Sequence, residues 1–113
     1  MRRLDPTAIR RVILQQSKRA NVGHIGSCLC IVEILCALYG DTVRAESPDD
    51  PDRDRVVLSK GHAALALYAT LAECGALPAQ QLDTFCGDDS YLGVHPDSGL
   101  PGVDFSTGSL GQG

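Results

Sequence analysis

A predicted helix with almost no polar face limits what this chain of 113 residues can fold into. Ser27 is a suitable N-cap, and the residues after it predict a helix that runs to about Tyr39, where Gly40 ends it. Its apolar residues are Leu29, Ile31, Val32, Ile34, Leu35, Ala37 and Leu38, and Glu33 is its only charge. A helix that is apolar all round is buried on all sides, which indicates a larger protein or an interface.

An amphipathic helix precedes the apolar one. Asp5 is the predicted N-cap and Pro6 the first helical position. The face at helical spacing consists of Ile9, Val12, Ile13, Gln16 and Ala20, and the other face carries Arg10, Arg11, Lys18 and Arg19. The pattern predicts a helix of about four turns with one buried face, which the segment 21–26 ends.

A short apolar run, Val56-Val57-Leu58, is typical of a buried parallel strand. A third helix is predicted from about Ala63 to Cys74, with Gly75 as its end. A single strand has no partner within the chain, so the βα order predicts an α/β fold of which residues 1–113 hold only the first part. The remaining predicted segments are a polar loop over 41–55, a short helix over 79–85 and a loop over 86–107.

Charge and hydropathy exclude several classes of protein. A net charge of −4 and a pI near 5.1 give no basic surface for nucleic acid. No apolar run approaches the roughly 20 residues that span a bilayer. The segment from Met1 to Pro6 is basic but lacks the apolar core of a signal peptide. We therefore expect a cytoplasmic protein that contacts neither nucleic acid nor membrane.

The cysteines do not form a metal or disulfide motif. There are five, an odd number, and no two of them form a Cys-x-x-Cys pair: Cys28, Cys30, Cys36, Cys74 and Cys86. Cys28 and Cys36 lie in a strongly apolar segment, and free cysteine is among the most buried residue types. The sequence therefore predicts reduced and mostly buried thiols.

Three glycines, with small hydroxyl residues beside them, lie in the final eight residues, Ser106 to Gly113. Such a turn allows backbone N–H groups to approach an anion closely, as phosphate binding requires. In open α/β folds a turn of this kind usually leads into a helix whose positive end faces the phosphate. The segment therefore predicts a phosphate site, although most glycine-rich segments are ordinary loops.

Three histidines lie outside the predicted helix faces. His24 lies between two helices, His62 follows the predicted strand and His95 lies in the long loop. Strand ends and loops of α/β proteins are where ligands bind. Ordinary loop histidines are the alternative. A zinc site of three histidines also fits by ligand type, but spacings of 38 and 33 residues match no compact metal motif.

Together these segments resemble the N-terminal, diphosphate-binding part of transketolase. The resemblance rests on Gly23-His24-Ile25-Gly26, on Arg53 to His62, on His95-Pro96 and on Thr107 to Gly113, in that order. It covers almost all of the chain and is closest to split transketolases, whose N-terminal half is a separate polypeptide. The thiamine diphosphate-binding fold that this implies is α/β, and residues 1–113 would be an incomplete part of that domain.

The resemblance implies a thiamine diphosphate enzyme with magnesium that transfers a two-carbon ketol unit between sugar phosphates. Carried over residue by residue, it implies that His62 and the turn Gly108-Ser109-Leu110 contact the cofactor. His24 would contact the sugar, and His95 would polarise a substrate oxygen or relay a proton. His62 and His95 are thus the implied catalytic residues. No role is implied for Lys60, at whose position other members carry a neutral side chain.

The family pattern also implies partners. The magnesium ligands, a Gly-Asp-Gly motif and an asparagine, are expected beyond Gly113, so the resemblance assigns no metal ligand to this chain. We expect the remaining diphosphate-binding domain and a pyrimidine-binding domain or subunit to join it in a dimeric assembly. The isolated chain is therefore expected to be inactive and to bind the cofactor weakly or not at all. Two alternatives stay open: a non-catalytic remnant or interaction module, and a subunit that loads a two-carbon unit onto a carrier protein.

Overall fold

A computed structural model describes residues 3–44, 49–87, 92–93, 95–96 and 102–107. Its four α-helices are α1 (Pro6–Ala20), α2 (Ile25–Leu29), α3 (Val32–Ala37) and α4 (Ala64–Glu73). A π-helical turn (Leu38–Thr42) extends α3, and 3-10 helices occupy Gly61–Ala63 and Ala79–Thr84. Within these described ranges no residue forms a strand.

Helix α1 begins and ends where the sequence predicts. The carboxylate of Asp5 accepts a hydrogen bond from the N–H of Thr7 at 3.0 Å, and Pro6 is the first helical residue. Asn21 ends the helix in the left-handed conformation, with φ of 56°. Ile9 and Ile13 are completely buried, which confirms the predicted inner face of the helix.

The predicted apolar helix forms in pieces and is not fully enclosed. Ile31, with φ of −108° and ψ of 4°, separates α2 from α3. Val32 and Leu35 are buried, but Ile34 is 59% exposed. The expectation of burial on all sides, in a larger protein or at an interface, is therefore not met by the described residues alone, among which nothing covers the side of α3 that carries Ile34.

The segment Ile25–Thr42 has the length and apolar composition of a membrane-crossing helix, at 18 residues. The expectation that no apolar run approaches the length that spans a bilayer is therefore wrong for this segment. The core helices of soluble proteins meet the same criteria, so composition alone does not distinguish the two environments.

Helix α4 lies at the centre of the core. All eight residues from Ala64 to Leu71 are buried, so that every side of this part of the helix is enclosed. Helix α4 packs against α1, α2 and α3. Its buried hydroxyl at Thr70 donates to the carbonyl of Ala66 at 2.8 Å, so enclosure leaves no orphan polar atom there. Gly75, with φ of 82°, ends this segment as predicted.

The predicted strand Val56-Val57-Leu58 does not form in the described chain. The N–H of Val56 donates to the carboxylate of Asp104 at 2.8 Å, and Val57 is 59% exposed. Arg53 pairs with the same carboxylate at 3.1 Å. A strand exists only with a neighbour to complete its hydrogen-bond ladder, and the described residues supply none.

The five cysteines are free, as the sequence predicts. They differ more in burial than expected. Cys28 is buried, Cys36 and Cys74 are half-buried, and Cys30 and Cys86 are exposed. Two thiols are therefore open to solvent in this chain.

Candidate functional site

Two of the three histidines meet at one end of α4. The ring centroids of His24 and His62 lie 5.2 Å apart, with an angle of 62° between the ring planes. His24 precedes α2 in a left-handed conformation, with φ of 66°, and His62 lies in the 3-10 helix that leads into α4. The fold thus joins two imidazoles that are 38 residues apart in the sequence.

Ser27 completes this pair. Its hydroxyl lies 3.1 Å from Nε2 of His62, so that one ring nitrogen of His62 is already engaged. The partner at Nε2 influences which tautomer the neutral ring adopts. The sequence predicts Ser27 as a helix cap, whereas α2 has no side-chain cap and His24 occupies the cap position. The signal for its site role is a hydroxyl residue directly after Gly-His-Ile-Gly.

Lys60 brings a positive charge to the same region. It precedes His62 by two residues, and its Nζ donates to Sγ of Cys30 at 3.1 Å. The resemblance assigns Lys60 no role, so this pairing is a result of the tertiary structure alone.

The space around His24 is open. A Cβ atom built on Gly23 or Gly26 would meet no atom within 4 Å, and neither glycine has a left-handed φ. His24 itself is exposed. Neither packing nor backbone conformation in the described chain requires these glycines. Their lack of side chains leaves room beside the two imidazoles for a ligand or another chain.

His95 is held through its backbone. Tyr68, which is fully buried in α4, shares its hydroxyl proton between the carbonyls of Gly93 and His95, each at 3.0 Å. Tyr68 follows His62 by six residues, or about 10 Å of helix. Within the described region, the ring of His95 makes no ring contact with His24 or His62. The structure therefore connects the backbone of His95 to α4, the helix that follows His62, and no contact between the ring of His95 and the other two rings is seen in the described region.

A buried hydroxyl lies next to the predicted phosphate turn. Among the described residues, Oγ1 of Thr107 is buried without a hydrogen-bond partner, and the N–H of Thr107 donates to the carbonyl of Pro96 at 3.4 Å. A buried unpaired hydroxyl is costly, so its position favours a bound group with acceptor oxygens, as a diphosphate has. The turn residues that follow, Gly108, Ser109 and Leu110, lie outside the described residues.

No group of three histidine, cysteine or acidic side chains converges within the described ranges. The alternative of a three-histidine zinc site is therefore not formed by His24, His62 and His95. The donor set at the site consists of two imidazoles and a hydroxyl, which can hydrogen-bond to anionic oxygens.

Removing the hydroxyl of Tyr68 tests how His95 is positioned. We expect Tyr68→Phe to lower the free energy of unfolding by about 1–2 kcal/mol, because two carbonyls lose their donor while the ring remains. The amide of Cys86, which donates to Leu92 at 2.7 Å, should exchange its hydrogen faster as this loop loosens. Urea unfolding and hydrogen exchange measure the two effects.

Tyr39→Phe is the matched control for that experiment. Burial raises the pKa of Tyr39 to about 12, so its hydroxyl lies in a poorly solvated place. Removing this hydroxyl should leave the exchange of the Cys86 amide unchanged. Equal exchange in both variants would show that Tyr68 does not hold the loop.

Residues 2–113 match the family profile described as transketolase, thiamine diphosphate binding domain. The chain is 44% identical over 108 residues to the 6-deoxy-6-sulfo-D-fructose transketolase subunit SqwG of Clostridium sp. (strain MSTE9), covering 93% of this chain and 39% of that protein. It is 39% identical to an apulose-4-phosphate transketolase subunit of Phocaeicola vulgatus, covering 92% of this chain and 38% of that protein. The solved structure of transketolase from Leishmania mexicana superposes with a TM-score of 0.85 at 32% identity, over 96% of this chain and 17% of that one. The chain thus spans under two-fifths of the length of these relatives.

Proposed function

Since this chain belongs to the transketolase family, through the thiamine diphosphate-binding domain, we propose that it forms part of an enzyme transferring a two-carbon ketol unit between sugar phosphates. The observation that carries the proposal is the contact of His24 with His62 beside an open glycine-lined space. Two motifs that the resemblance assigns to sugar and cofactor binding lie side by side in this arrangement. Relatives named as transketolase subunits support it further.

In this proposal each residue has a defined task. His62 holds the diphosphate together with the turn Gly108-Ser109-Leu110, and Ser27 fixes the orientation of its ring through Nε2. When bound, thiamine diphosphate supplies the carbon nucleophile of the reaction. His24, exposed beside the open space, contacts the sugar, and His95 polarises a substrate oxygen or relays a proton to it.

The proposed enzyme is an assembly. Its other parts are the remainder of the diphosphate-binding domain and a pyrimidine-binding domain or subunit, in a dimeric cytoplasmic enzyme. The exposed side chain of Ile34 on α3 is compatible with such an assembly, in which a partner would bury it. Magnesium, which neutralises the diphosphate charge, takes its protein ligands from outside this chain. The isolated chain is accordingly inactive in this proposal.

A domain exchange tests the proposed function. Residues 2–113 replace the matching segment of the 44%-identical Clostridium subunit, and the hybrid is combined with the rest of that enzyme. We expect ketol transfer that requires added thiamine diphosphate, because a segment of the same family should restore the site.

The matched control carries the corresponding segment of the Phocaeicola relative at the same junctions. If that control is active while a folded hybrid with this chain neither binds thiamine diphosphate nor transfers a ketol unit, the proposed function is wrong. Activity without added cofactor would equally contradict it.

A further inference from the structure

The carboxylate of Asp104 joins two segments that are far apart in the sequence. Its Oδ1 accepts a hydrogen bond from Nη1 of Arg53 at 3.1 Å, and its Oδ2 accepts one from the backbone N–H of Val56 at 2.8 Å. The two donors precede Asp104 by 51 and 48 residues. We call these three residues the Asp104 bridge. Because both oxygens are engaged, the contacts fix the orientation of the carboxylate as well as its position.

Each of the bridged segments leads to a residue of the candidate site. Val56 precedes His62 by six residues, and Asp104 precedes Thr107 by three. The ring of His62 contacts that of His24, and Oγ1 of Thr107 is buried without a partner among the described residues. The bridge therefore connects the segment that carries an imidazole of the site with the segment that carries the buried hydroxyl.

We propose that Asp104 is a positioning residue, which holds Thr107, and through it the glycine-rich turn that follows, in a fixed place relative to His62. Asp104 itself contacts neither cofactor nor substrate in this proposal, and the family resemblance implies no role for it. The consequence for the cofactor rests on the proposed function, in which His62 and the turn hold the same diphosphate. The position of Thr107 does not depend on that function.

The segment 102–107 is held firmly before Asp104 and weakly after it. A Cβ atom built on Gly102, which has φ of 82°, would lie 3.1 Å from Cδ2 of Leu71 in α4, and the next residue, Val103, is buried. At the other end, the N–H of Thr107 donates to the carbonyl of Pro96 at 3.4 Å. A hydrogen bond of this length is weak, so the position of Thr107 depends on contacts made by the residues before it.

Partial burial strengthens the bridge. The side chains of Arg53 and Asp104 are 22% and 15% exposed, whereas those of the ion pair Arg10–Glu33 are 35% and 61% exposed. Exposed ion pairs contribute little because water and salt screen them, and a shielded pair is screened less. Burial and, after it, the charge of Asp104 raise the pKa of Tyr39 to about 12, so the carboxylate also acts on the turn that extends α3.

Hydrogen exchange of the full chain, measured by NMR without cofactor, tests the bridge. Asp104→Ala removes both acceptor oxygens, so the amides of Val56 and Thr107 should exchange about tenfold faster as their segments separate more often. Asp104→Asn keeps one acceptor oxygen and should have a smaller effect. The amide of Ala63, which follows His62 and donates to the carbonyl of Lys60 at 2.9 Å, should not change.

Cofactor titration of the hybrid enzyme described above is the second measurement. Asp104→Asn is expected to weaken the binding of thiamine diphosphate about tenfold, because the binding groups are present but displaced. Saturating cofactor should then recover most of kcat. A purely structural role of Asp104 would instead lower the amount of competent enzyme and leave the affinity of the remainder unchanged.

Glu33→Gln is the matched control. It also converts the carboxylate of an ion pair into an amide, but its partner Arg10 connects α1 with α3 and belongs to neither bridged segment. The exchange of the Val56 and Thr107 amides and the affinity for thiamine diphosphate should remain those of the unchanged protein.

Two outcomes of the exchange experiment would overturn the proposal. One is an unchanged rate at Thr107 in Asp104→Ala, and the other is equal acceleration at Thr107 and Ala63, which would mean that the whole chain is destabilised. Equal cofactor affinity of the hybrids with and without Asp104→Asn would also contradict it. If the unchanged hybrid fails to bind thiamine diphosphate while the Phocaeicola control binds it, the proposed function is wrong, and the exchange rates still decide whether Asp104 positions Thr107.

Discussion

Replacing His95 by alanine in the assembled enzyme is expected to lower kcat for ketol transfer by about 100-fold to 10,000-fold. This is the range that a positioned proton donor or acceptor contributes to a rate. Affinity for thiamine diphosphate should change little, because the proposal places His95 at the substrate oxygen rather than at the diphosphate. Steady-state kinetics and cofactor titration on the same preparations measure both quantities.

His62→Ala should give the opposite pattern. Loss of a hydrogen bond to a charged diphosphate is expected to weaken cofactor binding by about 10-fold to 100-fold, and saturating cofactor should recover part of the rate. If His95→Ala weakens the cofactor as much as His62→Ala does, the division of roles between the two histidines is wrong. An unchanged kcat in His95→Ala would remove His95 from the proposed chemistry.

Ile13→Ala is expected to lower the free energy of unfolding by about 2–5 kcal/mol. Ile13 is completely buried where α1 packs against the central helix α4, so truncation removes apolar contacts and leaves a cavity. Native domains are stable by only about 5–15 kcal/mol, so this loss is a large share of the total. Urea unfolding followed by circular dichroism measures it.

The adjacent residue provides the control for this substitution. Leu14 is 49% exposed, so Leu14→Ala should change the free energy of unfolding by no more than about 0.5 kcal/mol. Helix propensity favours alanine slightly over either residue, so it does not explain a loss at position 13. Similar losses at both positions would mean that α1 does not pack in solution with the face described above.

Features that depend on near neighbours along the chain follow from the sequence. The carboxylate of Asp5 caps α1, Pro6 begins it and Asn21 ends it, and each acts within one helical turn. Gly75 ends the α4 segment for the same local reason. The inner positions Ile9 and Ile13 follow from helical spacing alone, so their burial was predictable.

Features that depend on residues far apart in the chain could not be predicted from the sequence. Val56 and its neighbours have the composition of a strand, but a strand needs a ladder that no described residue provides. The apolar composition around Ile34 predicts burial, yet the residue that would cover it is not among those described. The same limit applies to the enclosure of α4, because α1, α2 and α3 surround it only in the folded chain.

In the candidate site, too, the residue types were predictable from the sequence and the long-range contacts were not. The residue types at His24, His62 and His95, and their order relative to the glycine-rich turn, were evident from the sequence and carry the family resemblance. The sequence assigned Ser27 to a cap and Lys60 to no role, whereas the fold sets Ser27 against His62 and Lys60 against Cys30. Their contacts span 35 and 30 residues, so no local spacing rule indicates them.

The sequence by itself determined the family, the ends of α1 and the kinds of side chain that the site uses, because each depends on residue type and local order. Only the tertiary structure decided that His24 and His62 meet, that Tyr68 holds the backbone of His95, and which apolar faces are covered. The physical reason is that contacts between distant segments depend on how the helices pack together, and packing is a property of the whole core.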